Sequence, residues 1–114
     1  MIKILSLFAN IGVAEAYLKE MGIKVLIANE LEERRAKLYS DIYPETEMVS
    51  GDITNEKIFN HIIKSAKKKK VNCIMATPPC QGMSTAGQQA DDDERNRLII
   101  PVIEAVHILK PDYV

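Results

Sequence analysis

Cysteine occurs only twice in these 114 residues, as Cys73 and Cys80, too few for the disulfide framework of a small secreted domain. Their settings differ, one lying inside an apolar run and the other after two prolines, and both are expected to be reduced. Histidine is equally scarce. His61 and His107 are isolated and lack partners at metal-ligand spacing, so no metal site is expected. No apolar stretch approaches the ~20 residues of a membrane span, and the apolar start leads into a glycine-containing turn instead of a cleavage site. A cytoplasmic chain with no membrane association is expected. No long Gly/Ser/Pro-rich linker divides the sequence, so residues 1–114 read as one folding unit without internal repeats. Excess charge is missing too. Fifteen Lys and Arg against sixteen Asp and Glu leave a net charge of -1, so the basic footprint that phosphate binding normally leaves is absent.

What is present is an apolar fraction of 46%, arranged in runs that switch between strand and helix spacing. Such alternation builds a mostly parallel sheet covered by crossover helices, an α/β fold. Lys3 to Phe8 reads as a buried strand, and Ala14 to Met21, after a turn at Gly12, as a helix capped by Gly22. Lys24 to Ala28 is a second strand, Glu33 to Ile42 a helix stopped near Pro44, and Glu47 to Val49 a short third strand before a turn at Gly51. Thr54 is the expected cap of a helix from Asn55 to about Lys67, with Ile58, Phe59, Ile62, Ile63 and Ala66 forming its apolar stripe. The lysines 67–70 at its end suit the helix dipole as a solvated face. Val71 to Ala76 is a fourth strand, Thr77 to about Asp93 a polar loop, and Asn96 to Leu109 a helix that Pro101 either delays or kinks. Pro111 to Val114 looks like the entry to a fifth strand, and a chain that stops there is expected to be a fragment of a larger domain.

In open parallel sheets ligands bind beyond the carboxyl ends of the strands, near the point where strand order reverses. The residues just after each strand are therefore the informative ones. Phe8-Ala9-Asn10-Ile11-Gly12 forms a tight turn with small residues, although its single glycine misses the G-x-G-x-x-G pattern and an ordinary connection would look similar. Asn29-Glu30 places an acid where it can accept both hydroxyls of a ribose, and Gly51-Asp52-Ile53 pairs a carboxylate with an apolar side chain, suited to an adenine amine and ring face. Each also fits a solvated turn, but three in order reinforce one another. With no glycine-rich phosphate loop, an adenosine ligand without phosphates fits better than a dinucleotide. The strongest signal is Thr77-Pro78-Pro79-Cys80-Gln81-Gly82-Met83-Ser84, where two prolines restrict the backbone entering a cysteine at a strand end. Such placement suits a nucleophile, whereas Cys73 suits a buried structural role.

This segment resembles the catalytic-loop motif of the carbon-5 cytosine DNA methyltransferases, and the other turns follow that family's order across the whole chain. The resemblance implies a Rossmann-like S-adenosylmethionine-dependent methyltransferase fold, incomplete at its carboxyl end. It implies cofactor contacts from Phe8, Ala9, Asn10, Ile11, Gly12, Glu30, Leu31, Asp52, Ile53, Pro79 and Leu98, the last in the Asp93-to-Leu98 segment that resembles the stretch after the family's catalytic loop. It makes Cys80 the catalytic nucleophile and Gln81 and Ser84 substrate contacts. Asn10 and Val13 stand where the family usually has glycine. The chain ends before the family's Glu-Asn-Val segment, its arginine motif and its target-recognition region.

The implied reaction is addition of the Cys80 thiolate to carbon 6 of a flipped-out cytosine in double-stranded DNA, followed by methylation of carbon 5, within a restriction-modification system. A missing carboxyl-terminal half or complementary subunit is the implied partner, and this part alone is expected to be inactive. Two alternatives stay open: a transfer RNA cytosine-5 methyltransferase of the same family type, and a catalytically silent subunit that binds cofactor or a partner. A thiol redox domain is disfavoured because Cys80 has no second cysteine two residues away.

Overall fold

The structure, a computed structural model, describes residues 1–79 and 92–114, the side chains of 92–96 excepted. Four strands form one sheet: β1 (Lys3–Leu7), β2 (Lys24–Glu30), β3 (Glu47–Ser50) and β4 (Cys73–Ala76). Their order is β3-β2-β1-β4, every pair parallel. Among the described residues three α-helices accompany them: α1 (Glu33–Ile42), α2 (Glu56–Lys68) and α3 (Asp92–Leu109). The chain runs outward from β1 through β2 to β3 and then crosses to β4 on the other side of β1. Strand order therefore reverses between β1 and β4, which makes the carboxyl ends of those two strands the natural ligand crevice of a Rossmann-like sheet.

The pleat sends alternate side chains of each strand to opposite faces. Leu5, Leu7, Ile27, Val49 and Ile74 point to one face, where Ile62, Ile63 and Ala66 of α2 and Val102 and Ala105 of α3 complete the main core. The other face is thinner, holding Ala9, Ala28 and Tyr39 with Tyr43 and Met48 packed beside them. The fifth-strand expectation holds in outline, since Tyr113 bridges Cys73 in parallel and its carbonyl accepts from Ile74 N at 3.0 Å. Among the described residues no helix is long and apolar enough to cross a membrane.

Three expectations need correction. Ala14 to Met21 is not an α-helix but a series of turns closed by i→i+3 hydrogen bonds, ending in a 3₁₀ turn at Lys19–Met21 that Gly22 closes in the left-handed region. The reason is inverted burial: Glu15 is 3% exposed and Val13, Tyr17 and Met21 lie outside. Helices draw most of their stability from a packed apolar face, and this segment has none. The cap of α2 is Asn55, whose side-chain oxygen accepts from Lys57 N at 2.9 Å and Ile58 N at 3.2 Å, because the Thr54 hydroxyl is committed to Asp52. Finally, α3 begins at Asp92, earlier than Asn96, and runs through Pro101. Proline contributes no N–H to the helix ladder, at a cost of about 3 kcal/mol. Pro101 is buried beside Val102 on the side facing α2, and that packing offsets the loss.

Candidate functional site

The first strand-end turn has three residues in the left-handed region within five positions: Phe8 (φ 57°), Asn10 (φ 55°) and Gly12 (φ 87°). The turn is pinned from two sides. Ala9 N donates to the Asn29 carbonyl at 3.0 Å, continuing the β1–β2 ladder, and Gly12 N donates to the Ala9 carbonyl at 3.0 Å. Asparagine tolerates this conformation better than most residues, which accounts for Asn10 standing where a glycine would be at ease. Asn10→Gly is accordingly expected to change stability by less than about 0.5 kcal/mol, whereas Asn10→Val, β-branched at positive φ, loses about 1–2 kcal/mol. Urea denaturation of the two variants checks this.

Glu30, at the end of β2, is nearly buried and holds two turns together. Its Oε1 accepts from Asn10 N at 2.8 Å and its Oε2 from Glu32 N at 2.9 Å. A carboxylate offers about four acceptor positions, so each oxygen keeps capacity for a ligand hydroxyl. Beside it, Asn29 donates from Nδ2 to the carbonyls of Val49 at 2.7 Å and Gly51 at 3.0 Å, fastening the end of β2 to the turn after β3. Glu30→Gln places an NH₂ group against one of the two backbone donors. It is expected to cost about 1–3 kcal/mol, measurable as a lowered urea midpoint at unchanged m-value.

The third turn centres on Asp52. Its Oδ1 accepts from Thr54 N at 2.9 Å and from the Thr54 hydroxyl at 2.7 Å. These two bonds hold the Asp52 carboxyl below the usual carboxylate range, with Arg97 of α3 adding a smaller contribution. Ile53 is buried in the main core, Leu31 is exposed after β2, and Leu98 on α3 is half-buried. After β4, Thr77 binds back to β1: its N–H donates to the Leu7 carbonyl at 3.4 Å and its hydroxyl to the Phe8 carbonyl at 3.1 Å. The entry to Pro78-Pro79 is thereby tied to the strand-order reversal. Cys80, Gln81 and Ser84 lie outside the described residues.

Beneath the first turn is a polar cluster that sequence reading passed over. The Tyr43 hydroxyl donates to the Gly12 carbonyl at 2.6 Å, its ring lies 4.8 Å from that of Tyr39, and the Ser6 hydroxyl donates to Glu15 at 3.0 Å. Among the described residues nothing hydrogen-bonds the buried Tyr39 hydroxyl; burial, then the neighbouring Glu15, pushes its pKa far up. The signal was available in part: Ser6 and Asn29 are polar positions inside otherwise apolar strands. The lysines 67–70 close α2 and precede β4, so they lie at the amino ends of the strands, away from these turns. His61 pairs with Glu47 at 3.0 Å, and among the described residues no group of three His, Cys, Asp or Glu could hold a metal ion.

The arrangement thus offers a left-handed turn, two carboxylates and a double-proline segment tied in through Thr77 at one end of a parallel sheet. The family model of C-5 cytosine-specific DNA methylases matches residues 2–114. Type II methyltransferase M1.HgaI of Avibacterium volantium is 45% identical over 115 residues, covering 96% of this chain and 32% of that protein. The tRNA (cytosine(38)-C(5))-methyltransferase of Spodoptera frugiperda is 29% identical over 94 residues, covering 81% of this chain and 27% of that protein. Among solved structures, a prophage-encoded E. coli protein assigned as a DNA modification methyltransferase superposes with a TM-score of 0.73 at 26% identity, over 97% of this chain and 30% of that one. The chain therefore spans about a third of the length of these relatives.

Proposed function

Because the chain belongs to the family of C-5 cytosine-specific DNA methylases, we propose that it is the cofactor-binding and nucleophile-bearing part of a cytoplasmic S-adenosylmethionine-dependent DNA cytosine methyltransferase of a restriction-modification system. The observation that carries the reading is the meeting of the β1 turn and the Thr77-Pro78-Pro79 entry at the strand-order reversal, with Glu30 and Asp52 on the neighbouring strand ends. The donor set fits an adenosine-type cofactor. Glu30 keeps lone pairs for two ribose hydroxyls, Asp52 presents an acceptor for an exocyclic amine, and Leu31 and Leu98 supply apolar surface. The turn from Phe8 to Gly12 brings backbone close to the methionine portion, and Pro79 borders the same space.

When bound, the cofactor supplies the electrophilic methyl group. Carbon 5 of cytosine is a weak nucleophile, so the Cys80 thiolate forms a bond from Sγ to carbon 6 of the flipped-out base, leaving carbon 5 electron-rich and able to take the methyl group. Loss of the carbon-5 proton then re-forms the ring double bond, breaks the Sγ–carbon 6 bond and returns the thiolate. Gln81 and Ser84 follow the nucleophile and contact the nucleic acid. With a net charge of -1 this chain carries no basic footprint of its own, so in this reading most of the DNA-gripping surface belongs to the complementary part of the catalytic domain.

The test is transfer of labelled methyl from S-adenosylmethionine to duplex DNA and to transfer RNA by the complete protein. Label at carbon 5 of cytosine in DNA is expected; label in transfer RNA alone would transfer the assignment to the kind of activity printed for the Spodoptera relative.

A further inference from the structure

The groove of about 320 Å³ between the start of α2 and α3 contains a connection that none of the site assignments uses. Arg97 of α3 donates from Nη1 to the Thr54 hydroxyl at 3.4 Å, and that hydroxyl donates in turn to Asp52 Oδ1 at 2.7 Å. The threonine hydroxyl has one proton and two lone pairs, so it can accept from the guanidinium and donate to the carboxylate at once. Bonds in such a chain polarise one another in the same direction. Two acids, Glu56 of α2 and Glu104 of α3, line the same groove as Arg97.

We propose that Arg97 is a positioning residue: through Thr54 it fixes the Asp52 carboxylate so that its second oxygen, Oδ2, accepts from the exocyclic amine of an adenine ring, making this site selective for adenine over a base with a carbonyl at that position. The inference rests on the cofactor reading above and extends it to a residue outside the strand-end turns. The geometry accounts for the division of labour. Thr54 occupies Oδ1 twice, by N–H and by hydroxyl, and the carboxylate cannot rotate without breaking both bonds. Arg97 keeps the hydroxyl pointed at Oδ1, since a hydroxyl that accepts from a guanidinium on one side directs its proton to the other.

Two measurements on this chain test it, with Arg97→Ala, Arg97→Lys and Thr54→Val. The first is the NMR titration of the Asp52 carboxyl carbon. Its midpoint is expected to rise toward the ordinary carboxylate value in Arg97→Ala and to stay near wild type in Arg97→Lys. The second is calorimetry with S-adenosylhomocysteine and with S-inosylhomocysteine, which carries a carbonyl in place of the amine. Arg97→Ala is expected to weaken the adenine compound about threefold to fivefold, the range of an exposed charge interaction, and to leave the inosine compound unchanged. In the Thr54→Val background the same substitution should cost less than it does in wild type. An unchanged Asp52 titration, or equal losses for both compounds, overturns the proposal. If wild type binds neither compound, the cofactor reading fails, while the Asp52 titration still decides whether Arg97 acts on Asp52.

Discussion

Cys80→Ser in the complete enzyme is expected to lower methyl transfer by on the order of 10³-fold or more, the scale of losing a covalent nucleophile. A thiol gives appreciable thiolate near neutrality and the thiolate is intrinsically nucleophilic, whereas a serine hydroxyl needs a dedicated base to attack a carbon centre. The side chains are close in size, so packing changes little. The loss should therefore fall on kcat, with S-adenosylhomocysteine affinity within about twofold of wild type, since the groups proposed to hold the cofactor are Glu30, Asp52 and the first turn. Single-turnover methylation of duplex DNA, run beside calorimetry, separates the two. A variant that methylates at a rate comparable to wild type would remove Cys80 from the mechanism.

Gly12→Ala carries the largest expected effect on the fold, about 2–4 kcal/mol of destabilisation. Two independent costs coincide. The backbone φ of 87° disfavours any side chain, and a Cβ there would stand 2.3 Å from Cε2 of Tyr43 and 3.0 Å from Cε2 of Tyr39. The rings have little room to yield: Tyr39 is completely buried, and the Tyr43 hydroxyl is bonded to the carbonyl of Gly12 itself. Urea denaturation should show a lowered midpoint for Gly12→Ala. Adding Tyr43→Leu should recover only the steric part, leaving the cost of the left-handed backbone. A Gly12→Ala protein as stable as wild type would show that the ring pair moves freely.

The parts of this fold that announced themselves are those governed by local apolar pattern and by chain breakers. The end of α1 at Ile42 follows from Pro44 two residues on, and the four strands follow from short apolar runs between turn residues. Ala14 to Met21 misled because its apolar spacing is helical while its environment is inverted: burial of Glu15 beside Ser6 depends on a strand nine residues away. Thr54 and Asn55 are both competent caps, and the choice between them was made by Asp52, a tertiary fact about the preceding turn. The site divides in the same way. Glu30 and Asp52 are legible as acids at strand ends, and each is held in part by a group two residues on, but Asn10 N on Glu30 and Arg97 on Thr54 come from 20 and 43 positions away in sequence. Motif reading finds candidate ligand groups more readily than the distant groups that hold them still.

The position of β1 has a consequence for how the molecule is made. It precedes the other three strands of this sheet and sits between β2 and β4, yet its pairing with β4 joins Ile4 to Cys73, and its entry is fastened by Asn72, which accepts from Lys3 N and donates to the Met1 carbonyl. Translation at about 5–20 residues per second leaves several seconds between the two strands. During that interval one edge of β1, which carries the aliphatic Ile4, Leu5 and Leu7, has no mate and is open to pairing with another chain. Residues far apart in sequence make such sheets slow to close. That edge stays unpaired until β4 emerges, so the hazard belongs to the interval of synthesis and not to the finished sheet, in which β1 is covered on both sides.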